Sequence, residues 1–198
     1  EISCSLVGSE MCIRDSEYSL LDGSNKIKEY VKRVKELGMN SAAITDHGNM
    51  YGVVEFYKTA KANDINPVIG CEVYVAPNSR FDRETSHGDD RYYHLILLAE
   101  NNTGYANLMK IVSIGFTEGY YYRPRVDFET LEKYHEGLIC LSACLAGEIP
   151  RYIVRGFYDE AKEIARKYQD CFGKDNFFLE LQDLSLIHIS EPTRLQLI

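Results

Sequence analysis

Hydrophobic and polar positions along this chain fall into blocks that switch between helical and strand-like spacing. Over 24–38 the apolar residues Ile27, Val31, Val34 and Leu37 share one helical face, with Ser24 placed to cap the start and Gly38 to stop it. The run 41–45 (SAAIT) is short and apolar, the pattern of a buried strand. A second helix is expected over 51–63, ended by Asn66-Pro67. The β-branched stretch 68–75 predicts a strand and 92–99 another; 101–116 predicts a helix offering Leu108, Ile111, Val112 and Ile114 to a core. A short helix closes over 131–134 before Gly137, 138–141 (LICL) reads as a strand, 158–172 as a helix and 177–181 as a final strand.

Strands that are apolar throughout, alternating with helices, are the mark of a parallel sheet covered by helices, either open or closed into a barrel. The polar, turn-rich stretch 77–90 (PNSRFDRETSHGDD) reads as an exposed connecting loop. The ends do not fit this regular pattern. Residues 1–16 show no clear period, and 184–198 (LSLIHISEPTRLQLI) match poorly with what precedes them.

Composition narrows the possible functions. The 198 residues are 45% hydrophobic, too apolar for a disordered chain and enough to bury a core. With Lys+Arg 22 against Asp+Glu 30, the net charge of −8 argues against gripping a phosphate backbone through bulk charge. The longest apolar run, Leu95 to Ala99, falls far short of the roughly 18 residues of a membrane span. Six cysteines are scattered without a C-x-x-C pair, so the chain reads as reduced and cytosolic, and no secretory leader is visible.

Functional side chains in parallel α/β folds collect at strand ends. Asp46 and His47 directly follow SAAIT, His94 opens LILLA behind Tyr92 and Tyr93, Cys144 follows LICLSA, and Asp22 precedes the first long helix. Taken singly, each has an ordinary structural explanation: a cap for Asp22 or Asp46, a satisfied histidine, a small apolar cysteine. Glu72 is harder to explain, because a carboxylate inside Val68-Ile69-Gly70-Cys71 must meet a cation or strong donors. Together the set suits a polynuclear metal site: carboxylates bridge ions, imidazole suits Zn, Mn or Fe, and a thiolate favours Zn. Closely spaced ions activate water for phosphoryl displacement. No G-x-G-x-x-G, P-loop, G-x-S-x-G or H-E-x-x-H pattern competes.

Several motifs resemble a known family. Glu17-Tyr18-Ser19-Leu20-Leu21-Asp22-Gly23, the D-H-G-N-M-Y-G run from Asp46, Ile69-Gly70-Cys71-Glu72-Val73-Tyr74, His94 to Ala99, Gly104-Tyr105-Ala106-Asn107-Leu108 and L-S-A-C-L-A-G-E-I-P from Leu141 resemble the polymerase and histidinol phosphatase (PHP) domain. More narrowly, they resemble the branch carried by bacterial replicative DNA polymerase III alpha subunits. The resemblance implies a distorted (β/α)7 barrel with up to three divalent ions (Zn, Mn or Fe) at the strand ends. By matched motif, Asp22 and His47 would serve one ion, Glu72 would bridge the other two, and His94 and Cys144 would complete the second of these. Asp46 would orient His47 from behind. The implied chemistry is metal-dependent phosphodiester hydrolysis, including 3′–5′ exonuclease action, by an activated water without a protein nucleophile. The implied parent is a DNA-directed DNA polymerase whose partners are DNA, a sliding clamp and a proofreading subunit.

Two departures bear on that expectation. The family places H-x-H-T before Glu17, where this chain has Ile13, Arg14, Asp15 and Ser16. Asp15 could still bind metal, whereas Ile13 could not. The family's late D-x-H has no counterpart before the chain ends. The expected organisation is therefore 1–16 and 184–198 as foreign segments, resembling translated sequencing adapter, around a partial PHP domain at 17–183 whose barrel lacks its last strands. The metal cluster is expected to be incomplete and this chain's own activity weak or absent. The competing readings are a structural or docking PHP module without catalysis and a free-standing phosphatase of the same fold.

Overall fold

A computed structural model describes residues 5–6, 9–20, 23–83 and 91–181. In chain order the elements are β1 (Ser5–Leu6), β2 (Ser9–Arg14), α1 (Ile27–Glu36), β3 (Ser41–Ile44), α2 (Val53–Ala62), β4 (Asn66–Val75), β5 (Tyr93–Ala99) and α3 (Asn102–Thr117). Then follow β6 (Tyr120–Tyr121), β7 (Arg123–Val126), α4 (Phe128–Tyr134), β8 (Leu138–Leu141), α5 (Glu148–Val154), α6 (Tyr158–Phe172) and β9 (Phe177–Phe178).

The fold is mixed α/β, and its sheet departs from the parallel arrangement expected. Strands β2, β3 and β4 are parallel, with Met11 opposite Ser41 and Ser41 opposite Asn66. Strand β4 is long, and its second half pairs with β5 on one side and with β7 on the other. Strand β5 runs antiparallel to both β4 and β8, while β8 and β9 are parallel. This reversal places the start of β5 at the same sheet end as the finish of β3, β4 and β8. His94, the second residue of β5, thus lies opposite Tyr74 near the end of β4. In an all-parallel sheet it would sit at the far edge, away from the other candidate ligands.

Two apolar clusters hold the layers together. Ile27, Val31 and Val34 from α1 meet Ile44 of β3 and Phe56 of α2. Leu97, Leu108, Ile111, Leu131 and Leu138 form the centre of the other. Each fully buried aliphatic side chain contributes roughly 1.5–3 kcal/mol. Leu37, expected on the core face, is instead the exposed C-cap of α1, since the helix ends one residue earlier. Helix α3 begins where Asn101 Oδ1 accepts the Gly104 N–H at 3.0 Å. Among the described residues no helix is long and apolar enough to cross a membrane, and Cys71, Cys140, Cys144 and Cys171 are free thiols.

Two further differences have physical causes. The sequence pattern assigns no element to 148–154, yet α5 forms there with Pro150 in its first turn, where its missing N–H is not needed. The opening segment, which lacks a readable period, supplies β2 through main-chain pairing with β3. The stretch 77–83 is an exposed loop, as expected, and it is anchored: Arg80 Nη1 donates to Asp127 at 3.0 Å and Arg80 Nε to Glu118 at 2.8 Å. The remainder of that loop, 84–90, lies outside the described residues.

Candidate metal centre

Glu72, His94 and Cys144 bring one ligand atom each to within 4.8 Å of one another. Main-chain bonds fix all three. Glu72 N–H donates to Asp46 O at 3.0 Å, Gly48 N–H donates to Glu72 O at 2.8 Å, and His94 N–H donates to Ala146 O at 3.1 Å. Strand β5 therefore carries His94 against the loop that presents Cys144. Gly48 is required here: its φ is +67°, and a Cβ would lie 2.8 Å from the Tyr74 ring and 2.9 Å from Pro124.

His94 Nδ1 lies 2.8 Å from Glu72 Oε1 and 3.6 Å from Cys144 Sγ. One nitrogen cannot donate a single proton well to both. Glu72 Oε1 is buried and has no aligned hydrogen-bond partner among the described residues. A buried carboxylate oxygen left this way is costly unless a cation meets it. Zinc bonds of about 2.0–2.3 Å hold tetrahedral donors roughly 3.3–3.8 Å apart; the N–S separation of 3.6 Å meets that spacing, and the O–N pair at 2.8 Å would open on taking up an ion.

The electrostatics show negative charge concentrated at this point: without an ion His94 carries a proton that meets Glu72, and a metal would take that proton's place. Burial pulls His94 towards the neutral form, but the Cys144 sulfur and the Glu72 carboxylate outweigh it and push its pKa up to about 9. Burial pushes the Cys144 thiol up, while His94 and the Ala146 N–H pull harder and leave it below the ordinary thiol range. Cys71 behaves oppositely: fully buried, its pKa is strongly raised, and its Sγ donates to Asp46 O at 3.3 Å. Only Cys144 of these two is disposed to act as a thiolate.

His47 flanks the triad, with Nδ1 at 3.2 Å from Glu72 Oε1 and Nε2 at 3.3 Å from Asp15 Oδ2. Asp15 thus stands beside His47, as the sequence allowed. The Asp46 carboxylate accepts from Ser16 N, Ser16 Oγ and Ser19 Oγ, each at 2.7 Å. Ser19 Oγ in turn accepts the His47 N–H at 3.0 Å. Asp46 therefore clamps the 16–19 turn, and its link to His47 runs through a serine that sequence reasoning did not single out. Asp22 lies outside the described residues. Also missed were Tyr92, stacked on the His94 ring at 6.0 Å, and Tyr74, edge-on to it at 5.3 Å. Their proximity depends on the β4–β5 pairing, which the sequence does not spell out.

With this geometry in place, the comparisons with known proteins are specific. The profile of the PHP domain matches residues 15–184. The chain is 53% identical over 171 residues to the DNA polymerase III subunit alpha of Treponema pallidum, covering 86% of this chain and 15% of that protein. It is 49% identical over 167 residues to the protein of the same name from Borreliella burgdorferi, covering 84% and 14%. For that of Aquifex aeolicus the identity is 46% over 172 residues, covering 84% and 15%. The chain thus spans about one-seventh of the length of these relatives.

Proposed function

Because this chain belongs to the PHP domain family, we propose that it is the PHP portion of a bacterial replicative DNA polymerase III alpha subunit, with a divalent-metal centre suited to phosphodiester hydrolysis. The observation that carries this reading is the convergence of one ligand atom each from Glu72, His94 and Cys144 within 4.8 Å, with the Glu72 oxygen buried. Glu72, His94 and Cys144 would hold the ion, and His47, beside Glu72 and Asp15, would offer further donors. In the family pattern Asp22 and His47 would serve one ion and Glu72 would bridge the other two. A divalent ion there supplies charge neutralisation at a phosphate and activation of water.

The residues of the chain do the remainder. Asp46 and Ser19 hold the His47 backbone in place, and the Tyr92 and Tyr74 rings wall one side of the centre. The parallel β2–β3–β4 segment, with α1 and α2 between its strands, supports a distorted (β/α)7 barrel as the parent architecture. In the whole polymerase, DNA, a sliding clamp and a proofreading subunit are the partners, and the compartment is the cytoplasm. The polymerase reaction itself belongs to parts of the relatives that this chain does not span.

The test is release of nucleotides from a 3′-labelled single strand by this chain with Mn or Zn. Slow, metal-dependent release, lost in Glu72→Gln and His94→Ala, supports the reading. Metal binding absent from the unaltered chain, or release unchanged in both variants, overturns it. One observation favours a structural reading: the donors join β4, β5 and the loop after β8. If chelation lowers the melting temperature of a chain that hydrolyses nothing, the ion serves the fold.

A further inference from the structure

Four exposed aromatic rings form a continuous row beside this centre. Tyr18 and Tyr51 lie 6.4 Å apart, Tyr51 and Phe116 6.5 Å, and Phe116 and Tyr120 6.3 Å between ring centroids. All four are solvent-exposed, Tyr51 to 67% and Tyr120 to 55%. Large apolar side chains left in water as a contiguous row mark an interaction surface. The row is tied to the metal centre through its backbone. Asn49 Nδ2 donates to both Tyr18 O and His47 O, and Tyr51 N–H donates to Asn49 Oδ1.

Arg123 joins the row to the mouth of the centre. Its guanidinium lies 5.6 Å over the Tyr74 ring, and Tyr92 and Tyr120 are also within its electrostatic reach. Among the described residues the groups that act most strongly on its charge are phenols. An arginine next to a metal site and at the end of an aromatic row suits a chain that alternates phosphates with flat rings.

We propose that Tyr18, Tyr51, Phe116 and Tyr120 form a stacking track for the bases of a single-stranded nucleic acid, and that Arg123 contacts the phosphate nearest the metal centre. This rests on the reading of the centre as a phosphodiester site. A single strand fits and a duplex does not, because bases already stacked in a duplex have no free faces for the rings. The net charge of −8 sharpens the proposal: stacking rather than bulk charge supplies the affinity, so the salt dependence is shallow. One phosphate contact gives a slope of log K against log salt near −0.7.

The experiment is fluorescence anisotropy of a labelled oligothymidylate with the full chain in chelator, where hydrolysis and metal play no part. Tyr51→Ala and Tyr120→Ala each weaken binding by about tenfold. Tyr51→Phe and Tyr120→Phe restore it, which separates stacking from folding. Arg123→Gln lowers the salt slope towards zero, and Tyr57→Ala, an exposed ring outside the row, changes nothing. The proposal is overturned if the unaltered chain binds the duplex as well as the single strand, or binds neither. It is equally overturned if the alanine variants bind normally, which would leave the row as a face for a neighbouring protein domain. Because binding is read without metal, a chain that binds the strand but hydrolyses nothing sinks only the hydrolytic reading.

Discussion

His94 Nδ1 stands 2.8 Å from Glu72 Oε1, yet that buried oxygen receives no aligned hydrogen bond from any described residue. With the His94 pKa pushed up to about 9 this is a close ion pair, in which a bound metal ion would take the place of the imidazolium proton. Removing the charge of Glu72 while keeping its shape therefore weakens metal binding more than it weakens the fold. Glu72→Gln is expected to lower zinc affinity by about a hundredfold or more, measured by isothermal titration. Zinc at about 100 times its Kd raises the unfolding free energy of the unaltered chain by about 2.7 kcal/mol. At the same zinc concentration the variant shows little of that gain.

Asp127 predicts an acid-sensitive anchor. Its Oδ1 accepts from Thr130 N at 3.1 Å, capping α4, and Arg80 Nη1 sits at 3.0 Å. Burial pushes the carboxyl up, but the Arg80 and Thr130 hydrogen bonds and the Arg80 charge overcome it and hold the pKa below 3.8. An acid depressed on folding adds stability that is complete above its unfolded pKa and disappears as the pH falls through the folded value. Asp127→Asn costs about 2–3 kcal/mol at neutral pH, from a lost charge-assisted bond and a weakened cap. Urea melts at pH 7 and below pH 4 measure it, and the gap between the two proteins narrows in acid.

Glu148 carries the opposite sign. Burial raises its pKa, only partly offset by the Tyr168 hydroxyl, which donates to Oε2 at 3.0 Å, and by Lys167. A carboxyl raised on folding favours the folded state at low pH, and that contribution is lost as the pH rises past its unfolded value. Tyr168→Phe leaves the carboxylate without its donor and costs about 1–3 kcal/mol at pH 7. Glu148→Gln flattens the decline of thermal stability between pH 4 and 7, read by differential scanning calorimetry.

Much of this architecture was legible in the sequence because local patterns control it. Helix α6 and strand β8 coincide with their expected ranges, α2, α3, β3, β4 and β5 lie within two residues of theirs, and α1 starts three residues later than expected. Glu72 announced itself as a carboxylate in an apolar strand, and the structure buries it. What escaped depends on contacts between distant segments. The antiparallel course of β5 carries no local signal, since an apolar strand reads the same in either direction. Yet that course is what brings His94 to Glu72 and stacks Tyr92 on His94. The sequence pattern gives Ser16 and Ser19 no role, and only folding shows them clamped to Asp46.

The most direct test of the metal centre is the absorption spectrum of the chain titrated with Co(II), which takes the place of Zn and reports a bound thiolate as a near-ultraviolet charge-transfer band. One equivalent should develop that band, and both Cys144→Ser and His94→Ala should abolish it while Cys171→Ser leaves it unchanged. A chain that shows no band, or one that survives in Cys144→Ser, would contradict the assignment of Glu72, His94 and Cys144 as ligands.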